Sequence, residues 1–550
     1  MLRFVLGRSG TGKTQYLNKL FTDFAKSGSE KLLMIVPDQS SFETEKSFLK
    51  SAGPKLCRNI KVLGFSRLCD YVFSEVGYKT ANTIDDGTRK IIMSMAIEQV
   101  SDNLELFSKQ KSSLTELMTE SYRECQKCTI TADMLKNTAV TVPEQSLRQK
   151  LNETALILEA YEAIIANTYI DPCENLNRVF EILCETPVFE DYIIAVDSFS
   201  GFTAQQYRVL ECLMENSADF YVSLNLEAAN HSPNSVFAIT KETRLKFTSI
   251  AEKLAVQIAP VVVLDKNYRI KSPELLHLEN NLVLDKLDEY GETPADFSIV
   301  NAPDVYQEID YVANTINSLV MEENLRYREI AVICHDSNAY STLIASAFEK
   351  NKIPCFMDYP EDIFIKPIVR LVCSCIKAVT NGFEREDVLT ILKTGLTENT
   401  VEDISAFENY LFTWNLNRKD FLSEFTRNPD GLKGDFTQDD KDNLNALEQV
   451  RKSVICPLVA FKEKSKDADG EKITGNLYEL LLNLKADKML IKMYESLESS
   501  GKTELAAQQI RLWNILMQVL DKMSAVLNKF KPSLKRYGEL LSMQFENEKI

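Results

Sequence analysis

Histidine is nearly missing from this chain. Three are present, His231, His277 and His335. They are scattered and have no partner pattern, which speaks against an imidazole acid–base pair or a histidine-built metal site. No apolar run approaches the roughly 20 residues of a membrane span, so no membrane association is expected. There is no internal repeat of fixed period and no low-complexity tract. The first residues enter an apolar strand pattern at once, so no secretory leader is expected. The 12 cysteines are spread thinly and fit reduced thiols in a cytoplasm better than a disulfide scaffold. Cys125 and Cys128 have metal-type spacing, but no second pair follows; Cys373 and Cys375 lie in an apolar helical run. Both pairs read as structural. The net charge of −17 argues against a general polyanion binder, yet leaves a local basic groove open.

Against these absences stands one dense motif. Gly7-Arg8-Ser9-Gly10-Thr11-Gly12-Lys13-Thr14 has the full spacing of a phosphate-binding loop. The apolar segment Leu2–Leu6 precedes it and a helical pattern follows from Gln15. Glycines let successive backbone N–H groups turn toward phosphate oxygens, and the helix adds its positive end. Lys13 is placed to reach the β- and γ-phosphates of ATP, and Thr14 to ligate Mg²⁺.

Short apolar runs at Leu2–Leu6, Leu32–Val36, Tyr192–Val196, Asp219–Leu224, Val261–Leu264 and Ile330–Cys334 read as buried parallel strands separated by helices. An α/β fold with parallel sheets follows. Between Asp85 and Leu183 glycine nearly disappears and helical spacing takes over, as in Leu114, Leu117, Met118 and Tyr122. The expected organisation is a first α/β domain split into 1–84 and 185–295 and a helical insertion at 85–184. A second α/β domain starts over 296–380, with a helix from Gln307 to about Glu323, and a further helical insertion covers 381–550. Pro429-Asp430-Gly431 with Gly434, and Ala468-Asp469-Gly470, read as loops. The pattern is still helical at the last residues, so a longer natural polypeptide is expected.

Two acidic and basic elements complement the loop. Asp197 ends the run Tyr192–Val196, the position at which a nucleotide enzyme holds Mg²⁺. Leu264-Asp265-Lys266-Asn267-Tyr268-Arg269 follows another run, and the planar fork of Arg269 suits a γ-phosphate. Phe65, Arg67 and Tyr71 suit single-stranded DNA, although core packing explains the two aromatic residues equally well. The basic group Lys529, Lys531, Lys535 and Arg536 suits a DNA backbone or a solvated turn.

The order of phosphate loop, strand-Asp197-Ser198-Phe199 and Asn267-Tyr268-Arg269 resembles the UvrD-like helicase core, a RecA-like P-loop NTPase. Val36-Pro37-Asp38-Gln39, Phe42-Glu43-Thr44-Glu45, Val62-Leu63-Gly64-Phe65-Ser66-Arg67-Leu68 and Val196–Thr203 narrow the resemblance to the AddB family, B subunits of the bacterial AddAB helicase–nucleases. The strand pattern Tyr327–Cys334 and the segment Ile353–Asp358 suit it too. The match runs over the whole chain as an N-terminal portion. The resemblance implies a heterodimeric ATP-dependent helicase/exonuclease with an AddA partner. Such a complex processes single- and double-stranded DNA ends for recombination repair and recognises Chi. It also implies a [4Fe-4S] cluster and a nuclease domain in the full-length protein, with no cluster ligand assignable here.

One departure from an active motor matters. The UvrD-like helicase motif carries Glu where this chain has Ser198, and the polar positions at Ser200 and Gly201 are lost. A carboxylate that activates water is worth typically 10²–10⁴-fold. ATP binding through Gly7–Thr14, Asp197 and Arg269 is expected to persist, with Thr14 and Asp197 on Mg²⁺. Efficient hydrolysis is not. An autonomous UvrD-type helicase and a P-loop phosphotransferase are the alternatives. Ser198 speaks against the first; the long helical insertions and Asn267-Tyr268-Arg269 speak against the second.

Overall fold

The computed structural model describes residues 1–548 except 79–81, 108–110, 167, 228–235, 282–287, 358–361, 433–435 and 529. His231, Asp358, Gly434 and Lys529 therefore lie outside the described residues.

Six strands form one parallel sheet in the order β3-β2-β4-β5-β1-β6. They are β1 (Leu2–Gly7), β2 (Leu32–Ile35), β3 (Ile60–Leu63), β4 (Ile193–Val196), β5 (Asp219–Asn225) and β6 (Val262–Val263). The register pairs Leu2 with Phe220, Ile193 with Asp219 and Leu32 with both Ile193 and Ile60. Continuous apolar runs form these strands because both faces are covered. Alternation then divides the side chains. Phe4, Leu33, Ile35, Ile194, Val196, Phe220 and Val222 enter one core. Val5, Leu32, Met34, Ala195 and Tyr221 enter the core on the opposite face. The run at Val261–Leu264 forms only a two-residue strand, and β3 was not among the expected runs.

Helices α1 (Lys13–Lys26), α2 (Ser41–Cys57) and α3 (Phe65–Glu75) follow the first three strands. The helical stretch that follows contains α4 (Asp86–Gln99), α5 (Lys111–Lys127), α6 (Ala132–Thr141), α7 (Gln145–Ile165) and α8 (Asn175–Glu185). Next come α9 (Ala204–Asn216), α10 (Ala238–Lys253) and α11 (Pro273–Asn281). A capping box starts α9: the Thr203 N–H donates to Gln206 Oε1 at 2.9 Å, and the Gln206 N–H to Thr203 Oγ1 at 3.3 Å.

The chain divides into two compact units, Met1–Ile84 with Val100–Ala302, and Asp85–Gln99 with Pro303–Ile550. In the second unit lie α12 (Val305–Glu322), α13 (Ser337–Lys350), α14 (Pro367–Thr380), α15 (Arg385–Lys393), α16 (Val401–Thr413) and α17 (Gln438–Lys464). It continues with α18 (Gly470–Asn483), α19 (Ala486–Ser499), α20 (Thr503–Val526) and α21 (Leu534–Phe545). Helix α4 thus groups with helices more than 400 residues later. Ile91 enters their core, and Lys522 of α20 donates to Asp85 beside the start of α4. Burial opposes ionisation of Asp85, but Lys522 and the Thr88 amide hold its carboxyl below the usual pKa.

Gly87 lets this packing close. A Cβ there would stand 2.5 Å from Gln544 Oε1, and Gln544 is fully buried. Gly87→Ala is expected to destabilise the protein by about 1–3 kcal/mol through overpacking. A thermal melt checks this; an unchanged midpoint would refute the close approach.

The expected strand Ile330–Cys334 is not formed. The segment follows a 3₁₀ turn (Tyr327–Glu329) and has no ladder partner among the described residues, with Ile333 94% exposed. Apolar composition registers burial tendency, but a strand exists only with a hydrogen-bonding neighbour. Beside it, α12 and α13 share a small core of Ile309, Ala313, Ile316, Ile344 and Phe348.

Candidate functional site

All six strands point their C-terminal ends the same way, so the loops leaving β1, β4, β5 and β6 meet at one edge of the sheet. In open parallel sheets that edge is where ligands bind. A cleft of about 630 Å³ opens there, lined among others by Lys13, Thr14, Asp197, Ser223, Tyr268 and Arg269.

The Gly7–Thr14 loop is closely packed. Gly10 and Gly12 have φ of 83° and 85°, the left-handed region in which glycine carries no Cβ penalty. A Cβ on Gly7 would collide with the Leu264 carbonyl oxygen and Thr11 Oγ1. The Tyr268 N–H donates to the Gly10 carbonyl at 2.9 Å, and Asn267 Nδ2 to the Ser9 carbonyl at 3.1 Å. Asn267 Oδ1 also accepts from the N–H groups of Arg269 and Ile270 at 2.9 and 3.0 Å. The turn after β6 therefore braces the loop. Arg269 reaches Ser9 Oγ at 3.4 Å.

Lys13 folds back on its own loop, with Nζ donating to the carbonyls of Gly7 at 2.9 Å and Arg8 at 2.8 Å. Burial lowers its pKa and Arg269 adds to this, while Asp197 opposes it. Thr14 Oγ1 donates to Asp197 Oδ2 at 2.7 Å. Asp197 is 2% exposed. It also accepts from Ser198 Oγ at 3.1 Å and from Ser223 Oγ on β5. A hydroxyl and a carboxylate in direct contact beside an ammonium form a hard-oxygen set suited to Mg²⁺ with phosphate.

Ser198 is exposed, with φ of 67°, and its hydroxyl turns back to Asp197. No carboxylate stands at this position. Phe199 lines the cleft and packs edge-on against Phe65, ring centres 5.7 Å apart.

The structure brings Lys13, Thr14, Asp197 and Arg269 together. Gly7, Ser9, Gly10, Thr11 and Gly12 form the loop around them. The Arg8 side chain sits elsewhere, between Glu227 and Glu279 at 3.3 and 3.2 Å. Sequence reasoning missed these two acids and also Ser223. A lone serine in the apolar strand Asp219–Asn225 was the available signal for Ser223.

The residues considered for DNA are largely committed to packing. Phe65 is 6% exposed. Tyr71 packs against Phe189 at 5.6 Å with Lys61 over its ring at 4.7 Å. Exposed Arg67 pairs with Glu45 at 2.9 Å. Arg536 pairs with Glu98 and Glu539, leaving Lys531 and Lys535 exposed. Cys375 and Cys373 are packed in α14, burial raising both thiols, Cys373 to about 11. Among the described residues no group of three or more His, Cys, Asp or Glu is arranged to hold a metal ion, and no helix is long and apolar enough to cross a membrane.

Comparison with known proteins converges on one family. The protein-family description "ADDB, N-terminal" matches residues 4–279, and "UvrD-like helicase C-terminal domain" matches residues 262–540. The chain is similar to the ATP-dependent helicase/deoxyribonuclease B subunit of Clostridium acetobutylicum, 27% identical over 561 residues, covering 100% of this chain and 49% of the relative. The protein of the same name from Clostridioides difficile is 28% identical over 569 residues, at 100% and 49% coverage. That from Alkaliphilus oremlandii is 28% identical over 560 residues, at 99% and 49%. The chain spans about half the length of the curated relatives it matches.

Proposed function

Because the chain belongs to the ADDB N-terminal family, with a UvrD-like helicase C-terminal domain overlapping its end, we propose that it forms the N-terminal half of one of the two subunits of a heterodimeric ATP-dependent helicase/exonuclease. That complex would process double-stranded DNA ends for homologous recombination and recognise Chi. The partner would be an AddA helicase/nuclease chain, in the cytoplasm, acting on single- and double-stranded DNA. Nuclease chemistry and a [4Fe-4S] cluster would belong to the remainder of the polypeptide.

Within this chain the cleft binds Mg²⁺–ATP. Backbone N–H groups of Gly7–Thr14 cradle the phosphates, Lys13 and Arg269 neutralise their charge, and Thr14 and Asp197 hold the metal. When bound, Mg²⁺ would screen the phosphate charge; the chain's own part is to orient the triphosphate and hold the Thr14 hydroxyl and Asp197 carboxylate side by side. The observation that carries this reading is the Thr14–Asp197 contact at 2.7 Å next to Lys13. Hydrolysis is slow, because Ser198 offers a hydroxyl where a base is needed. The protein is thus a nucleotide-binding scaffold, with translocation supplied by the partner.

Co-expression with an AddA partner, followed by purification, DNA binding and ATPase assays, tests the reading. The pair is expected to co-purify and bind DNA ends, and the isolated chain to bind Mg²⁺–ATP without motor-like turnover. DNA-stimulated turnover by the isolated chain at about 1–10³ s⁻¹ would refute the scaffold role, and failure to co-purify would refute the partnership.

A further inference from the structure

The phosphate loop carries one cation whose side chain does not face the cleft. Arg8 Nη1 donates to the Glu279 carboxylate at 3.2 Å, to the Glu279 carbonyl at 3.1 Å and to Asn280 Oδ1 at 3.1 Å. Its Nη2 lies 3.3 Å from Glu227, and Phe237 packs against the guanidinium, 5.8 Å from ring centre to Cζ. The side chain is 13% exposed, yet its Nε is buried with no hydrogen-bond acceptor. Arg8 is therefore held at its outer nitrogens by acids more than 200 residues away, with one donor unmet.

Glu279 and Asn280 both belong to α11, so the backbone and side chains of that helix accept from Arg8. The backbone of the same residue is part of the nucleotide cradle: the Arg8 carbonyl accepts from Lys13 Nζ at 2.8 Å. A triphosphate that draws Lys13 away removes that donor and brings several negative charges to the loop. From the cleft, those charges repel Glu227 and Glu279 and attract the guanidinium away from them.

We propose that Arg8, Glu227 and Glu279 form an ionic latch between the phosphate loop and α11 that nucleotide binding loosens. The inference rests on the reading of the cleft as a triphosphate site. Glu227 and Glu279 are positioning residues here, acting through Arg8. Coupling is reciprocal: if nucleotide weakens the latch, weakening the latch strengthens nucleotide binding. A merely structural brace would give the opposite sign, because loosening a preorganised loop lowers its affinity.

The test combines hydrogen exchange of the full chain, with and without Mg²⁺–ATP, and calorimetric affinities for wild type, Glu279→Gln and Glu227→Gln. Amides of α11 are expected to exchange about fivefold faster when Mg²⁺–ATP is bound, and each variant to bind nucleotide about fivefold more tightly, within the usual range of coupling between sites. In the variants α11 should already exchange fast, with nucleotide adding little. Circular dichroism confirms that each variant folds; if Glu279→Gln does not, Glu227→Gln, at the more exposed acid, carries the test. Absence of wild-type nucleotide binding would defeat the cleft reading itself and the latch with it. Binding with α11 unaffected, or variants that bind equally or more weakly, would overturn the latch alone. Tighter binding without a change at α11 would mean a field effect only, and would also overturn it.

Discussion

Lys13→Ala is expected to weaken Mg²⁺–ATP binding by about 10- to 100-fold, the range for losing a charge-assisted hydrogen bond to phosphate. The ammonium now donates only to the carbonyls of Gly7 and Arg8, inside its own loop. Its loss therefore removes no long-range contact, and the brace from Asn267 and Tyr268 remains. The fold should survive, which separates this substitution from one that unfolds the sheet. Burial lowers the pKa of Lys13 despite the opposing charge of Asp197, and Arg269 adds to the lowering, so a further anion beside the ammonium is favourable. A phosphate group supplies that anion, and alanine cannot exploit it. Calorimetric titration of wild type and variant checks the expectation. Equal affinities would remove the cradle from the account and leave Asp197 without a nucleotide to serve.

Ser198→Glu is expected to raise ATP turnover by about tenfold to a hundredfold from a low base, the lower part of the range for a positioned general base. The lower part applies for a geometric reason. Residue 198 has φ of 67°, a conformation that serine already adopts and glutamate would share. The present side chain also turns back on Asp197 rather than out over the cleft. A glutamate must reach past Asp197 to the water beyond the terminal phosphate while two carboxylates stand close together. That neighbour raises the new carboxyl's pKa and favours a base near neutrality. Single-turnover hydrolysis, with Ser198→Ala as the neutral control, reads the effect. If Ser198→Glu binds nucleotide as wild type does and hydrolyses it no faster, the missing carboxylate is not what silences the site.

Much of the site was legible in the sequence because its parts are local. The loop Gly7–Thr14 is contiguous, and glycine spacing alone fixes where the backbone can turn. Asp197 was placed beside the loop because a buried strand ends where an apolar run ends, and parallel strands gather their C-terminal ends at one edge of the sheet. Arg269 was singled out by the same logic, although β6 ends at Val263 and Arg269 lies in the turn beyond it. Ser223 was missed because its neighbour Asp197 lies on a different strand. Only the sheet order, which places β5 beside β4, brings the two together. Phe65 shows the opposite error. Its type suited base stacking, but Phe199 and Phe202 converge on it at 5.7 and 6.2 Å and bury it.

Composition and short-range spacing determined the parallel α/β class, the glycine-rich loop at Gly7–Thr14 and the lack of a carboxylate at position 198. They do so because backbone conformation and burial periodicity act over a few residues. Tertiary structure alone decided that Arg8 is caught by Glu227 and Glu279, that helix α4 packs with α20 and α21, and that Ile330–Cys334 has no strand to pair with among the described residues. Each depends on groups brought together across tens to hundreds of positions, and no local pattern encodes which partner arrives.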